Sequence, residues 1–341
     1  MTLGFHIGAA TNTGVERDVN QDSYAFAPGF AVVADGMGGH RGGEVASSLA
    51  VQEMLTRFVR PDMETLVETV EHANRCILDA AAANPQLHGM GTTVVALGLI
   101  DEPEGEGPTL GAINVGDSRM YRLTGVELQQ LTEDHSLVEA LVREGRLTPE
   151  QAEVHPQRNI VTRALGVLED VEVDSFHFIP KIGDRYLLCS DGLFNEVPAQ
   201  EIARILDQYE DPQLAADTLV AAANEGGGRD NITTVVVDIV DASEGTIPGT
   251  SSALASESDL DGIPSEADPA DDAVAPITDE IPAVDPSRLA ADGSPPGANE
   301  ASTPADPPAP QVERTALEEL NANQRGIPET KSRRQRWSWR R

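Results

Sequence analysis

The sequence predicts an α+β fold built in layers, and three observations support that prediction. Short apolar, β-branched runs cluster in the middle of the chain with tight turns between them, the arrangement of antiparallel pairs. Helical periodicities lie to either side of that cluster instead of alternating with it, which argues against a regular β-α-β wind. Beyond about residue 240 large apolar side chains thin out and Pro, Ala, Ser, Asp and Glu take over. Such a segment cannot offset the entropy of ordering its backbone, so the layers must be completed within residues 1–240.

The elements follow in order. Phe30–Ala34 is an apolar strand run ending at Asp35-Gly36, and Gly43 to Ala50, continued by Met54 and Phe58, has helical spacing. A second helix covers Glu64–Ala83, with Leu66, Val67, Val70, Ala73, Ile77 and Leu78 on one side, until Pro85 stops it. Thr92–Leu99 and Leu110–Val115 read as strands on either side of the acidic turn Asp101–Gly107, the second ending at Gly116-Asp117. Met120–Leu123 and Val126–Leu131 form a hairpin about Thr124-Gly125. Ser136–Gly145 and Pro149–His155 read as polar helices over the surface. Arg185–Cys189 is an apolar strand ending at Ser190-Asp191-Gly192. Helical stretches at Glu201–Leu206 and Leu214–Asn224 come next, and Ile232–Val240 closes the layers after the turn Gly226–Asn231.

A net charge of -33, from 57 acids against 24 bases, excludes nucleic acid as a partner, because phosphate backbones need a cationic face. The N-terminus lacks an apolar signal region, and no run is long enough to span a bilayer. The two cysteines, Cys76 and Cys189, are far apart in sequence, which fits a reduced cytoplasmic compartment. Both read as buried small apolar groups without metal or redox chemistry.

Three aspartates share one local setting: Asp35, Asp117 and Asp191 each follow an apolar strand and precede a turn former. Asp230 mirrors it in a Gly-rich turn just before a strand. Strand ends hold carboxylates rigidly, and carboxylates converging at one sheet end repel unless cations neutralise them. Hard oxygen ligands with open water positions suit Mg²⁺ or Mn²⁺, with Ca²⁺ the alternative although no EF-hand loop is present. Two such ions sharing a carboxylate can activate a bridging water and stabilise charge moving through a phosphoryl group. A single Asp-Gly is ordinarily just a turn; four in similar settings are a constellation.

The motifs Thr13–Asp22 (TGVERDVNQD), Val33–His40 (VADGMGGH), Gly91-Thr92-Thr93, Asn114–Arg119 (NVGDSR), Ser190–Leu193 (SDGL) and Gly228–Asn231 (GRDN) occur in that order. This ordered set resembles the PPM (type 2C) protein serine/threonine phosphatases in their bacterial form. The resemblance implies a four-layer α-β-β-α sandwich with two central antiparallel sheets and a metal site at one sheet edge. It implies that Asp35 bridges two core Mn²⁺ or Mg²⁺ ions, that the Gly36 carbonyl completes the second, and that Asp191 and Asp230 hold the first. Asp117 with Asp191 would support a third ion. Arg17 would grip the substrate phosphate, its planar fork matching phosphate oxygens. Asp22 and Asn231 would orient waters and ligands from behind. Met37 stands where eukaryotic members carry a histidine as general acid, and Gln21 replaces a eukaryotic glutamate, both as in the bacterial branch. His40 is close enough in sequence to contact substrate. Residues 135–163 correspond to the flap beside the active site. His135 and His155 read as structural, since no acid is spaced to orient them.

From Ala242 to Thr330 the chain holds 18 acids against three bases, while Lys331–Arg341 carries six bases with Trp337 and Trp339. Residues 241–330 thus read as a disordered acidic Pro/Ala-rich linker and 331–341 as a basic tip. The tip is either a solvated end, a tether to anionic lipid or an acidic partner, or a group drawn to its own linker. Some bacterial relatives continue into a transmembrane helix after such a linker. The expected function is a monomeric phosphatase that opposes a bacterial Ser/Thr kinase on phosphorylated proteins. A catalytically silent binding or sensing module of the same family is the rival, and a metal-buffering protein would leave the ordered motifs without a reason.

Overall fold

The computed structural model describes residues 2–38, 42–101, 107–244 and 253–255. Strands β1 (Leu3–Asn12), β2 (Asp22–Ala27) and β3 (Phe30–Met37) open the chain and lead into helices α1 (Gly42–Arg57) and α2 (Met63–Ala83). Strands β4 (Gly91–Thr92), β5 (Val94–Asp101), β6 (Pro108–Val115), β7 (Arg119–Thr124) and β8 (Glu127–Gln130) follow. Short helices α3 (Leu137–Arg143) and α4 (Pro149–Glu153) precede β9 (Asp174–Phe178) and β10 (Arg185–Cys189). Helices α5 (Asp191–Phe194), α6 (Ala199–Gln208) and α7 (Pro212–Gly226), then strands β11 (Ile232–Asp241) and β12 (Ala253–Ala255), complete the order.

The strands form two antiparallel sheets, β1-β11-β10-β7-β8 and β12-β2-β3-β5-β6-β9, with β4 paired to the end of β3. Their central strands read as continuous apolar runs because both faces are covered. Along β3, Ala31 and Val33 pack between the sheets with Phe5, Val95, Leu97, Tyr186, Leu188 and Val237. Phe30, Val32 and Ala34, on the opposite face, pack against α1 and α2 through Ala50, Met54, Leu66, Val70 and Ile77. On the other sheet, Leu187, Cys189 and Val236 face α6 and α7 through Ile202, Ile205, Leu219 and Ala223. Each Val, Leu, Ile, Phe or Met among them contributes roughly 1.5–3 kcal/mol by leaving water. Helix, sheet, sheet, helix: the four layers are those the resemblance implied.

Strands β1, β2 and β9 are ones the apolar pattern does not announce. β1 is diluted by glycine and alanine because α7 starts directly upon it. A Cβ on Gly8 would lie 2.1 Å from the Gln213 amide nitrogen, and the Gln213 side chain bonds both the N–H and the C=O of Ala9. β2 begins with the buried polar pair Asp22 and Ser23, and β9 is an edge strand that turns only Phe176 and Phe178 toward the core.

β11 runs to Asp241, and β12 pairs with β2, so ordered backbone continues past residue 240. The acidic linker from residue 256, the basic tip Lys331–Arg341, and His40 lie outside the described residues. No helix among the described residues is long and apolar enough to cross a membrane.

Candidate metal centre

Asp35 is not at a strand end, as the pattern suggested, but inside β3, directly opposite Asp22 on β2. The Gly91-Thr92-Thr93 motif clamps its backbone. Thr92 Oγ1 and the Thr93 N–H donate to the Asp35 carbonyl at 2.8 and 2.9 Å, and the Asp35 N–H donates to Thr93 Oγ1 at 3.0 Å. Thr93 Oγ1 also meets Ser118 Oγ at 2.7 Å, which ties this strand to the Gly116–Ser118 turn that carries Asp117. Asp191 opens α5 just after Ser190, whose hydroxyl donates to Asp22 Oδ2 at 2.7 Å. Asp230 stands in the turn before β11.

The structure thus brings Asp22, Asp35, Asp117, Asp191 and Asp230 together from both sheets. Burial, followed by repulsion from Asp22, Asp191, Asp117 and Asp230, pushes the Asp35 carboxyl well above its ordinary range. Burial likewise raises Asp191, with Asp117 and Asp230 adding to it. Asp22 is pushed up to about 6 by burial, and Asp117 to about 6 by burial and the nearby Asp134. Bare carboxylates so placed need added positive charge. Asp22 Oδ1 is buried without a hydrogen-bond partner. An all-oxygen donor set of this kind fits Mg²⁺ or Mn²⁺. Among the described residues no three of these carboxylates place oxygens within 4.8 Å of one another.

Arg17 donates through Nη2 to Asp230 Oδ2 at 2.8 Å, and its side chain is 52% exposed. This partner lies 213 residues away in sequence. Gly14 permits this approach: it has φ +84°, and a Cβ there would sit 2.2 Å from the Asp230 carbonyl oxygen. Asn231 locks the same loop, accepting from the Gln21 N–H at 2.8 Å and donating to the carbonyls of Thr13 and Val19. Gly36 is pressed between chain segments, where a Cβ would lie 2.1 Å from the Gly43 carbonyl oxygen.

Asp117 and Asp191 open onto a cleft of about 1050 Å³, walled on one side by Val138, Val142 and Pro149 and on the other by Phe194, Pro198 and Ile202. Two features of its surroundings escape sequence reasoning. Arg119 forks onto Asp134 at 2.6–3.0 Å and lies 3.6 Å over the Phe194 ring, a rigid element of the cleft wall. His135 does have a partner acid: its Nε2 meets Asp174 at 3.2 Å and Arg163 at 2.8 Å, while its Nδ1 accepts from the Gly116 N–H at 2.9 Å. Burial and the Arg163 guanidinium hold its pKa below the usual range, consistent with a neutral ring supporting the Asp117 turn. His155 accepts only locally, from the Gln157 N–H.

Sandwich and centre together define a class, a four-layer α-β-β-α fold with a carboxylate-rich sheet edge. The family model for protein phosphatase 2C matches residues 15–223, and the chain belongs to that family. Its sequence is 43% identical over 217 residues to the serine/threonine phosphatase stp of Listeria monocytogenes, covering 61% of this chain and 84% of that one. The crystal structure of the Mycobacterium tuberculosis serine/threonine phosphatase PstP/Ppp superposes with a TM-score of 0.65 at 37% identity, over 70% of this chain and 100% of that one. The catalytic domain of serine threonine protein phosphatase PstP in complex with two manganese ions gives 0.62 at 37% identity, with the same coverage.

Proposed function

We propose that this chain is a divalent-cation-dependent protein phosphatase that hydrolyses phosphoserine and phosphothreonine on proteins. The observation that carries the reading is the convergence of Asp35, Asp117 and Asp191 as desolvated, mutually repelling carboxylates, with Asp230 beside them paired to an exposed arginine. Similarity to proteins named serine/threonine phosphatases supports the reaction, and the manganese-bound PstP domain supports the cofactor. Asp35, the Gly36 carbonyl, Asp191 and Asp230 would hold two Mn²⁺ or Mg²⁺ ions, with a third at Asp117 and Asp191. Bound there, the cations would neutralise the cluster and act as Lewis acids toward water and the phosphoryl group.

The chain's own residues perform the rest. Arg17 leaves Asp230 and presents its fork to phosphoryl oxygens, so the same guanidinium neutralises the site before substrate and binds substrate after. Asp22, fixed by Ser190, offers its free Oδ1 to orient water. Met37 follows Gly36 and supplies no acid, so leaving-group protonation would come from metal-bound water or another group. The α3–α4 flap and α5–α6 shape the cleft that receives the peptide on either side of the phosphorylated residue. Residues 1–240 would form the catalytic unit, acting in the cytoplasm as a monomer against a Ser/Thr kinase. The basic tip would tether it to anionic lipid or an acidic partner.

The test is hydrolysis of a phosphothreonine peptide with EDTA, Mg²⁺ or Mn²⁺, beside Asp191→Asn. Turnover that requires metal and collapses in the variant is expected. Folded protein without turnover under any cation would instead assign a silent binding module.

A further inference from the structure

A second set of metal-capable donors lies away from the carboxylate centre, on the outer helical layer. His72 and Cys76 are four residues apart on α2 and therefore share one face, and Glu53 reaches them from α1. Their donor atoms lie within 4.8 Å of one another, and all three side chains are half-buried. Cys76 Sγ stands 3.4 Å from His72 Nδ1, and Glu53 Oε2 stands 3.7 Å from His72 Nε2. The sequence reading of Cys76 as a buried apolar group is thereby corrected; Cys189 alone is fully buried.

We propose that Glu53, His72 and Cys76 form a site for a thiophilic divalent cation of the Zn²⁺ type, clamping α1 to α2. Tetrahedral Zn²⁺ with nitrogen, sulfur and oxygen ligands separates them by roughly 3.3–3.6 Å, given its bond lengths. The Sγ–Nδ1 separation already matches. Glu53 Oε2 stands on the Nε2 side of the ring, so its side chain would rotate to join Sγ and Nδ1, and water would take the fourth place. Glu53 Oε2 also accepts from Arg57 Nε at 2.8 Å, but with the guanidinium exposed that pair is solvent-screened and weaker than a metal bond. Sulfur and imidazole select Zn²⁺ over the hard Mg²⁺ and Mn²⁺ that suit the aspartates. The two centres would thus sort cations by donor chemistry. Residues 241–341 contain neither histidine nor cysteine and offer no competing soft donors.

The experiment is a titration of full-length, chelator-stripped protein with Co²⁺ and then Zn²⁺, in excess Mg²⁺ and a non-thiol reductant. A thiolate-to-cobalt charge-transfer band is expected to saturate at one equivalent and to vanish on adding Zn²⁺. It should be absent in Cys76→Ser and intact in Asp191→Asn. Glu53→Gln and His72→Gln should each weaken Zn²⁺ binding by at least about tenfold. No band, a band that survives Cys76→Ser, or unchanged affinity in the Glu53 and His72 variants would overturn the proposal.

Discussion

Arg185 and Asp238 face each other across β10 and β11, whereas Asp22 and Asp35 face each other across β2 and β3. In the first pair every need is met from within the fold. Arg185 forks onto both Asp238 oxygens at 2.6 Å, and its remaining N–H groups reach the carbonyls of Leu206, Tyr209 and Glu210. In the second pair two like charges are opposed, which destabilises a sheet, and further carboxylates crowd in behind them. The difference separates a charge the fold uses from a charge it holds ready. The structural pair is complete as it stands; the centre becomes complete only with cations.

Substitutions on the two sides of this contrast should behave in opposite ways. Asp35→Asn should lower kcat by a factor on the order of 10²–10³ or more, yet raise the urea midpoint of EDTA-treated protein by relieving repulsion. A lowered midpoint would break the contrast. Arg185→Ala should do the reverse, costing about 3–5 kcal/mol in urea unfolding because half-buried Asp238 and the carbonyls of Leu206, Tyr209 and Glu210 all lose their partner. Its kcat per folded molecule should stay within about twofold. Arg17→Ala should reduce kcat/KM by about 10- to 100-fold, the equivalent of one charge-assisted contact. Unfolding should move by less than about 0.5 kcal/mol, since the Asp230 pair is half exposed.

Much of the centre was legible because its residues stand in turns whose chemistry is local. Asp117, Asp191 and Asp230 each abut a strand, and the ordered motifs around them resemble one family along most of the domain. The pairing of Asp22 with Asp35 was not legible, since register is set by sheet packing and not by either segment alone. The same reason hid Asp174 from His135, Asp134 from Arg119, and Glu53 from His72 and Cys76. Strand β1 was obscured by Gly8, which serves the approach of α7 and dilutes the apolar pattern as it does so.

Burial and mutual repulsion hold these carboxylates partly protonated until cations replace the protons. With folded values near 6 for Asp22 and Asp117, above the ordinary carboxylate range, their stabilising share is full below about pH 4. It is lost as pH rises through about 6, the window in which cations should bind increasingly well. The most direct test is calorimetric titration of metal-free protein with Mn²⁺ at pH about 5, 6 and 7, in buffers of differing ionisation enthalpy. Proton release on binding should be greatest at pH about 5 and fall toward pH about 7, with affinity rising across the series and binding lost in Asp35→Asn. Binding that releases no protons and is equally tight at all three pH values would contradict a protonated metal-free centre.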